Sequence, residues 1–158
     1  MRRLNLSSVQ LIKGFEGFLP TPYKDSVGIA TIGFGTIHYP NGKAVTMSDP
    51  PVTKEQAEEY LTYEIEEKSR VVDAFLNSIG LQLTDNQYGA LVSFAYNLGT
   101  GPIVNSGKTM NVALRSKNLA AIADAFLPYC KGTFLGIKKV IPGLEKRRKL
   151  EREFFLKG

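Results

Sequence analysis

Three segments of this chain carry the same instruction for starting a helix. Ser7-Ser8-Val9-Gln10, Thr53-Lys54-Glu55-Gln56 and Thr84-Asp85-Asn86-Gln87 each place a hydroxyl three residues before a glutamine. At that spacing each side chain satisfies a backbone N–H at the other's position, which closes a capping box. An apolar residue, Leu6, Val52 or Leu83, precedes each box and suits a hydrophobic staple. Three helix starts of this kind make a mostly helical chain the first expectation.

The patterns behind those starts set the helices. The first is predicted from about Ser8 to Phe15, with Val9, Leu11, Ile12 and Phe15 on its apolar side. Gly14 and Gly17 weaken it, so Glu16 falls at the helix end. The second runs from about Lys54 to Leu76, burying Tyr60, Leu61, Ile65, Val71, Val72 and Phe75. Its acidic side, Glu58, Glu59, Glu66 and Glu67, reads as solvated surface. The third, Asp85 to Leu98, is apolar almost all round, as a central buried helix would be. After an exposed loop at Gly99-Thr100-Gly101-Pro102, short helices are expected near Thr109–Arg115 and Leu119–Phe126. Pro128 and Gly132 to Gly136 interrupt, and a basic helix follows from about Leu144 to Leu156.

Between the first two helices the chain changes character. Gly28, Gly33 and Gly35 alternate with Val27, Ile29, Ile32, Phe34 and Ile37, which predicts a small, sharply turned antiparallel sheet. Pro40-Asn41-Gly42 makes a turn, and Pro50-Pro51 ends the segment. The outline is α+β, mostly helical and two-lobed, in a single domain over residues 1–158. A sheet lobe at about 17–52 joins a linking helix at about 54–76, then a helical lobe at about 77–158 that takes the N-terminal helix. A groove where two lobes meet is the expected seat for a polymer chain.

Composition narrows the chemistry. One cysteine, Cys130, excludes an internal disulfide framework and a cysteine-built zinc site, and His38 is the only histidine. No metal site is expected. No apolar run suits a cleavable signal or a transmembrane helix, so synthesis in the cytoplasm is expected. The net charge of +5 is unevenly spread. Residues 131–158 hold nine Lys or Arg against three Glu, so the basic excess belongs to the last segment. That segment would attract an anionic polymer or membrane surface, or else form a solvated helix face.

Two carboxyls in unlike settings carry the functional signal. Glu16 lies among aromatic residues in Phe15-Glu16-Gly17-Phe18, and Asp25 lies nine positions on in the polar Lys24-Asp25-Ser26 turn. Thr31 follows six positions later. Glycosidic cleavage needs one carboxyl kept protonated for the leaving oxygen and another kept ionised to direct water or shield a developing cation.

The ordered motifs resemble the phage-type lysozymes of glycoside hydrolase family 24, the endolysins. Glu16, Asp25 and Thr31 match that family's catalytic spacing, and Thr31-Ile32-Gly33-Phe34-Gly35 matches its Thr-x-Gly-x-Gly run. Ala90 to Gly101 resembles its central-helix signature. Gly143-Leu144-Glu145-Lys146-Arg147-Arg148 with Glu151 resembles its terminal pattern. Thr36 stands where relatives commonly have His, and Tyr129 where many have Trp.

The resemblance implies a lysozyme-like two-lobed fold and a muramidase that cuts the β-1,4 bond between N-acetylmuramic acid and N-acetylglucosamine in peptidoglycan. Glu16 would be the general acid. Asp25 would position and deprotonate water, and Thr31 would hold that water. Carboxyls about 6.5–9.5 Å apart suit inversion and about 5–5.5 Å suit retention. Tyr96, Asn97, Thr109 and Ile37 are the expected substrate contacts, and no cofactor is implied. The expected partners are peptidoglycan glycan strands, with the basic last helix touching the anionic envelope. The chain is expected to be a monomer that waits in the host cytoplasm for holin-type release. A lytic transglycosylase, a catalytically inactive wall-binding protein and a basic nucleic-acid-binding domain are the competing readings. The last has charge alone in its favour, and no nucleic-acid partner is expected.

Overall fold

The computed structural model describes residues 2–158. Seven helices and four short strands follow in the order α1 (Leu6–Glu16), β1 (Leu19–Lys24), β2 (Ala30–Gly33), α2 (Lys54–Ile79), α3 (Asp85–Leu98), α4 (Gly101–Val104), α5 (Thr109–Ser116), α6 (Leu119–Ala125), β3 (Lys131–Phe134), β4 (Ile137–Val140) and α7 (Pro142–Leu156). The class is α+β and mostly helical, as expected. Among the described residues no helix is long and apolar enough to cross a membrane.

Two of the three capping boxes form as read. Thr53 and Gln56 exchange backbone bonds of 3.0 and 3.1 Å, and Thr84 with Gln87 does the same at 3.0 and 3.2 Å. The first box does not form. Asn5 caps α1 instead, its Oδ1 accepting the Ser8 N–H at 2.9 Å, so the helix starts two residues earlier than predicted. Asn is as good a cap as Ser, and its amide also reaches Asn86.

The chain divides into two compact units, Gln10–Glu67 and Lys68–Gly158, the latter joined by the first residues through Val9. In the first unit β1 and β2 pair antiparallel, with Tyr23 opposite Thr31 and Lys24 opposite Ala30. Ile32 and Phe34 from this hairpin, Val45 from the loop beyond it, and Ala57, Leu61 and Ile65 from α2 are buried. Phe18 leans on Phe34 at 5.3 Å between ring centres. On the acidic side of α2, Glu59 and Glu66 are exposed, whereas Glu58 is half-buried and paired with Lys13 at 2.9 Å.

The second unit is built on α3, whose residues from Gln87 to Ala95 are all buried. Phe94 meets Phe126 and Tyr129 edge-on at 5.4 and 4.9 Å, and Phe126 continues to Phe155 on α7. Removing one such ring from a core costs about 3–5 kcal/mol.

Four expectations are corrected. Val71 is 40% exposed, because the buried stripe of α2 passes through Ser69 and Val72. Gly99 to Pro102 is half-buried, and α4 begins within it with Pro102 in its first turn. The Gly132–Gly136 interruption is a second antiparallel hairpin, β3–β4, not a simple break. Finally, α7 is not only a basic surface helix. Arg147 and Arg148 are buried around Glu151, so the exposed lysines of this segment are Lys131, Lys138, Lys139, Lys146, Lys149 and Lys157.

Candidate active site

Glu16 is the last residue of α1. Gly17 takes a φ of +64° and its N–H returns to the Lys13 carbonyl at 2.9 Å, so the helix stops at the carboxyl-bearing residue. Gly35 lies against that carboxyl: a Cβ placed on it would sit 2.9 Å from Cδ, Oε1 and Oε2 of Glu16. The glycine therefore gives close approach as well as a turn at φ +78°.

Asp25 opens the turn between β1 and β2. Its Oδ1 accepts the N–H groups of Val27 and Ile29, both at 2.9 Å, and its own N–H donates to the Ile29 carbonyl. Among the described residues none of its hydrogen bonds uses Oδ2. One carboxylate oxygen is thus fixed by the turn, and the other remains available to a water or a substrate.

Thr31 is 3% exposed and donates its hydroxyl proton to the Ile29 carbonyl at 2.9 Å. The hydroxyl can then only accept from a further partner. Tyr23, its cross-strand neighbour, was not among the expected site residues. Its phenol is held above the ordinary value of 10.0, first by burial and then by the charges of Glu16 and Asp25. One ring therefore feels both carboxyls. The signal for it in the sequence was its place two residues before Asp25.

The remaining expected residues lie as follows. Ile37 belongs to the same unit as Glu16 and is 38% exposed. Tyr96 and Asn97 are half-buried near the end of α3, where Asn97 Oδ1 accepts from Arg148 Nη2 at 2.8 Å. Thr109 is exposed at the first position of α5. These last three belong to the second unit. Tyr129 is partly a structural residue, its oxygen accepting the Met110 N–H at 3.2 Å. Thr36 is buried, and among the described residues its hydroxyl has no hydrogen-bond partner. Among them no group of three or more His, Cys, Asp or Glu is arranged to hold a metal ion.

Comparison with known proteins shows the family. The family model described as phage lysozyme matches residues 13–151. The endolysin of Salmonella phage P22 is 34% identical over 156 residues, covering 99% of both chains. The endolysin of Bacillus phage B103 is 34% identical over 155 residues, and this chain spans about half of its length (54%). Among solved structures, the endolysin from Escherichia coli O157:H7 phage FAHEc1 superposes with a TM-score of 0.84 at 36% identity, over 98% of this chain and 94% of that one. The chain belongs to the phage lysozyme family.

Proposed function

We propose that this chain is an endolysin muramidase that hydrolyses the β-1,4 bond between N-acetylmuramic acid and N-acetylglucosamine of peptidoglycan. The observation that supports this reading is the place of Tyr23, which lies opposite Thr31 in the hairpin and whose phenol is raised first by burial and then by the charges of Glu16 and Asp25. A single ring that senses both carboxyls beside the threonine is what a shared catalytic centre would produce.

Glu16 gives its proton to the glycosidic oxygen as the C1–O bond breaks and positive charge develops on the sugar. A water donates one hydrogen bond to Thr31 Oγ1, whose own proton is committed to Ile29, and the other to Asp25 Oδ2. Asp25 takes that proton as the water oxygen attacks C1 from the opposite face. Attack by this route inverts the anomeric centre. Tyr96, Asn97, Thr109 and Ile37 contact the sugar chain. No cofactor enters the scheme.

The chain acts as a monomer, accumulates in the host cytoplasm and reaches the wall after a holin-type lesion. The exposed lysines of the last segment favour contact with the anionic envelope. Muropeptide analysis of wall digested by wild type, Glu16→Gln and Asp25→Asn tests the reaction. Reducing muramic ends, absent from both variants, are expected. Anhydro-muramic ends would instead identify a transglycosylase, and no release by wild type would leave a wall-binding protein.

A further inference from the structure

The β1–β2 hairpin sets a further side chain beside Asp25 and Thr31. Tyr23 stands opposite Thr31 in the ladder, and Asp25 extends that ladder, its N–H donating to the Ile29 carbonyl at 2.9 Å. Side chains alternate between the faces of a strand, so Tyr23 and Asp25 share a face, and Thr31, paired directly with Tyr23, shares it too. Burial follows the same alternation: Tyr23 and Asp25 are half-buried, whereas Lys24 and Ser26 are exposed. The register shifts between Leu19 and Tyr23, an irregularity of the kind that re-aims a side chain beside a site.

The hydrogen bonds of that face leave one role unfilled. Thr31 gives its proton to the Ile29 carbonyl at 2.9 Å, so its oxygen can only accept from a further partner. Asp25 binds its turn through Oδ1, and its Oδ2 is an acceptor as well. A water held between these two oxygens donates both of its protons and keeps two lone pairs. One lone pair must face the sugar carbon, and the other calls for a donor. Tyr23 brings the donor that Thr31 and Asp25 lack. Tyr39 and Tyr88 donate their hydroxyls to Asp49 and to the Ser69 carbonyl, but among the described residues the Tyr23 hydroxyl donates to no group. Burial, then the charges of Glu16 and Asp25, keep the phenol protonated.

We infer that Tyr23 is a catalytic residue of this hairpin, its hydroxyl donating to the attacking water while Thr31 and Asp25 accept from that water. Three groups then fix the water, and its remaining lone pair is aimed at the sugar carbon. As the water oxygen bonds to that carbon, the glycosidic bond breaks and the leaving oxygen takes the proton of Glu16. Asp25 takes one proton of the water, and Tyr23 keeps its own throughout. The inference rests on the hydrolase reading for the presence of an attacking water. Its effect falls on turnover rather than on binding, because the water's orientation counts as the new bond forms.

Steady-state release of reducing ends from soluble, uncross-linked glycan strands tests it, with wild type and Tyr23→Phe compared well below their unfolding temperatures. Tyr23→Phe keeps the ring, and its unfolding midpoint is expected within about 2 °C of wild type. Its kcat is expected to fall about tenfold with KM within about twofold, the scale of one hydrogen bond lost from the transition state. In a Thr31→Val background, where the water is already poorly held, the same substitution is expected to cost less than about threefold. An unchanged kcat overturns the inference, since the ring would then only pack. A raised KM at constant kcat also overturns it, because the hydroxyl would then hold sugar rather than water. An equal loss in both backgrounds does the same. Wild type that releases no reducing ends sinks the hydrolase reading and the inference with it, whereas an active wild type beside an equally active Tyr23→Phe sinks the inference alone.

Discussion

The carboxyl of Glu16 rests on the bare backbone of Gly35, with no room for a β-carbon between them. Gly35→Ala would push Cδ and both oxygens away from a 2.9 Å clash. It would also place a side chain at φ +78°, which costs about 1–2 kcal/mol. A misplacement of about 1 Å costs on the order of 100-fold in rate. Gly35→Ala is therefore expected to lose about that much turnover while unfolding only a few degrees earlier. Turnover within about threefold of wild type would show that the contact does not position the acid.

Tyr23 reports on both carboxyls at once. Its phenol is raised by burial and then by Glu16 and Asp25, because the phenolate would face two negative charges. The sign follows directly. The neutral ring favours the folded state fully below the ordinary value of 10.0, and that contribution is lost as pH rises through the higher folded value. Ring resonances of Tyr23 are expected to titrate above the ordinary tyrosine value of 10.0. Glu16→Gln and Asp25→Asn should each bring the midpoint part of the way down. A midpoint indifferent to both substitutions would place the ring away from the carboxyls.

Much of this arrangement was legible in the residues. The Thr53 and Thr84 boxes use local hydrogen bonds, which spacing encodes, and α3 reads as buried because its apolar residues leave no polar face. The Glu16, Asp25 and Thr31 spacing marks a hairpin that does form. What escaped depends on partners distant in the chain or on close competitors. Asn5 and Ser7 are equally good caps, and only the folded chain chooses between them. Arg147 and Arg148 look like surface cations until Glu151 and Ser93 are brought to them by α3 and α7. The β3–β4 hairpin hides behind glycines that read equally well as a break. Tyr23 escaped because its burial and the charge of Glu16, which lies on α1, appear only in the folded chain.

Gly89, inside the buried α3, is a contact glycine with φ in the ordinary range. A β-carbon there would overlap Ser8 Oγ and lie 2.5 Å from Ser8 Cβ. In an exposed helix Gly→Ala gains about 1 kcal/mol. Here Ser8 is fully buried, and overpacking of this kind costs about 1–3 kcal/mol. The substitution is expected to be destabilising by about 1–2 kcal/mol in urea unfolding. A stabilised variant would mean that α1 yields to α3 at no cost.

Thr36 offers the opposite change. Its hydroxyl is buried and without a partner among the described residues, although its backbone pairs with Ile32 in both directions at 2.9 Å. Thr36→Val keeps the shape and the branched β-carbon and removes the desolvated oxygen. An unmatched buried hydroxyl costs about 1–3 kcal/mol, so the variant is expected to unfold at a higher temperature by a few degrees. Loss of stability would imply that the oxygen has a partner, such as a bound water.

Glu151 is completely buried between α7 and α3, and three groups hold it there. Ser93 Oγ donates to Oε2 at 2.6 Å, Arg147 Nε approaches the same oxygen at 3.3 Å, and Arg148 Nε lies 2.7 Å from Oε1. Burial pushes the Glu151 carboxyl up and the Arg148 guanidinium down, and each partner's charge opposes that trend. Such a cluster is costly to assemble and costlier to break, since removing one member strands the other in the core. Arg148→Met is expected to destabilise by about 3–5 kcal/mol, and Glu151→Leu by a similar amount. In the double variant the Arg148–Glu151 pair is removed together and Arg147 keeps its bond to the Ser93 carbonyl, so the loss should fall short of the sum. Urea midpoints for the two singles and the double measure the coupling, and strict additivity would mean that Arg148 and Glu151 do not stabilise one another.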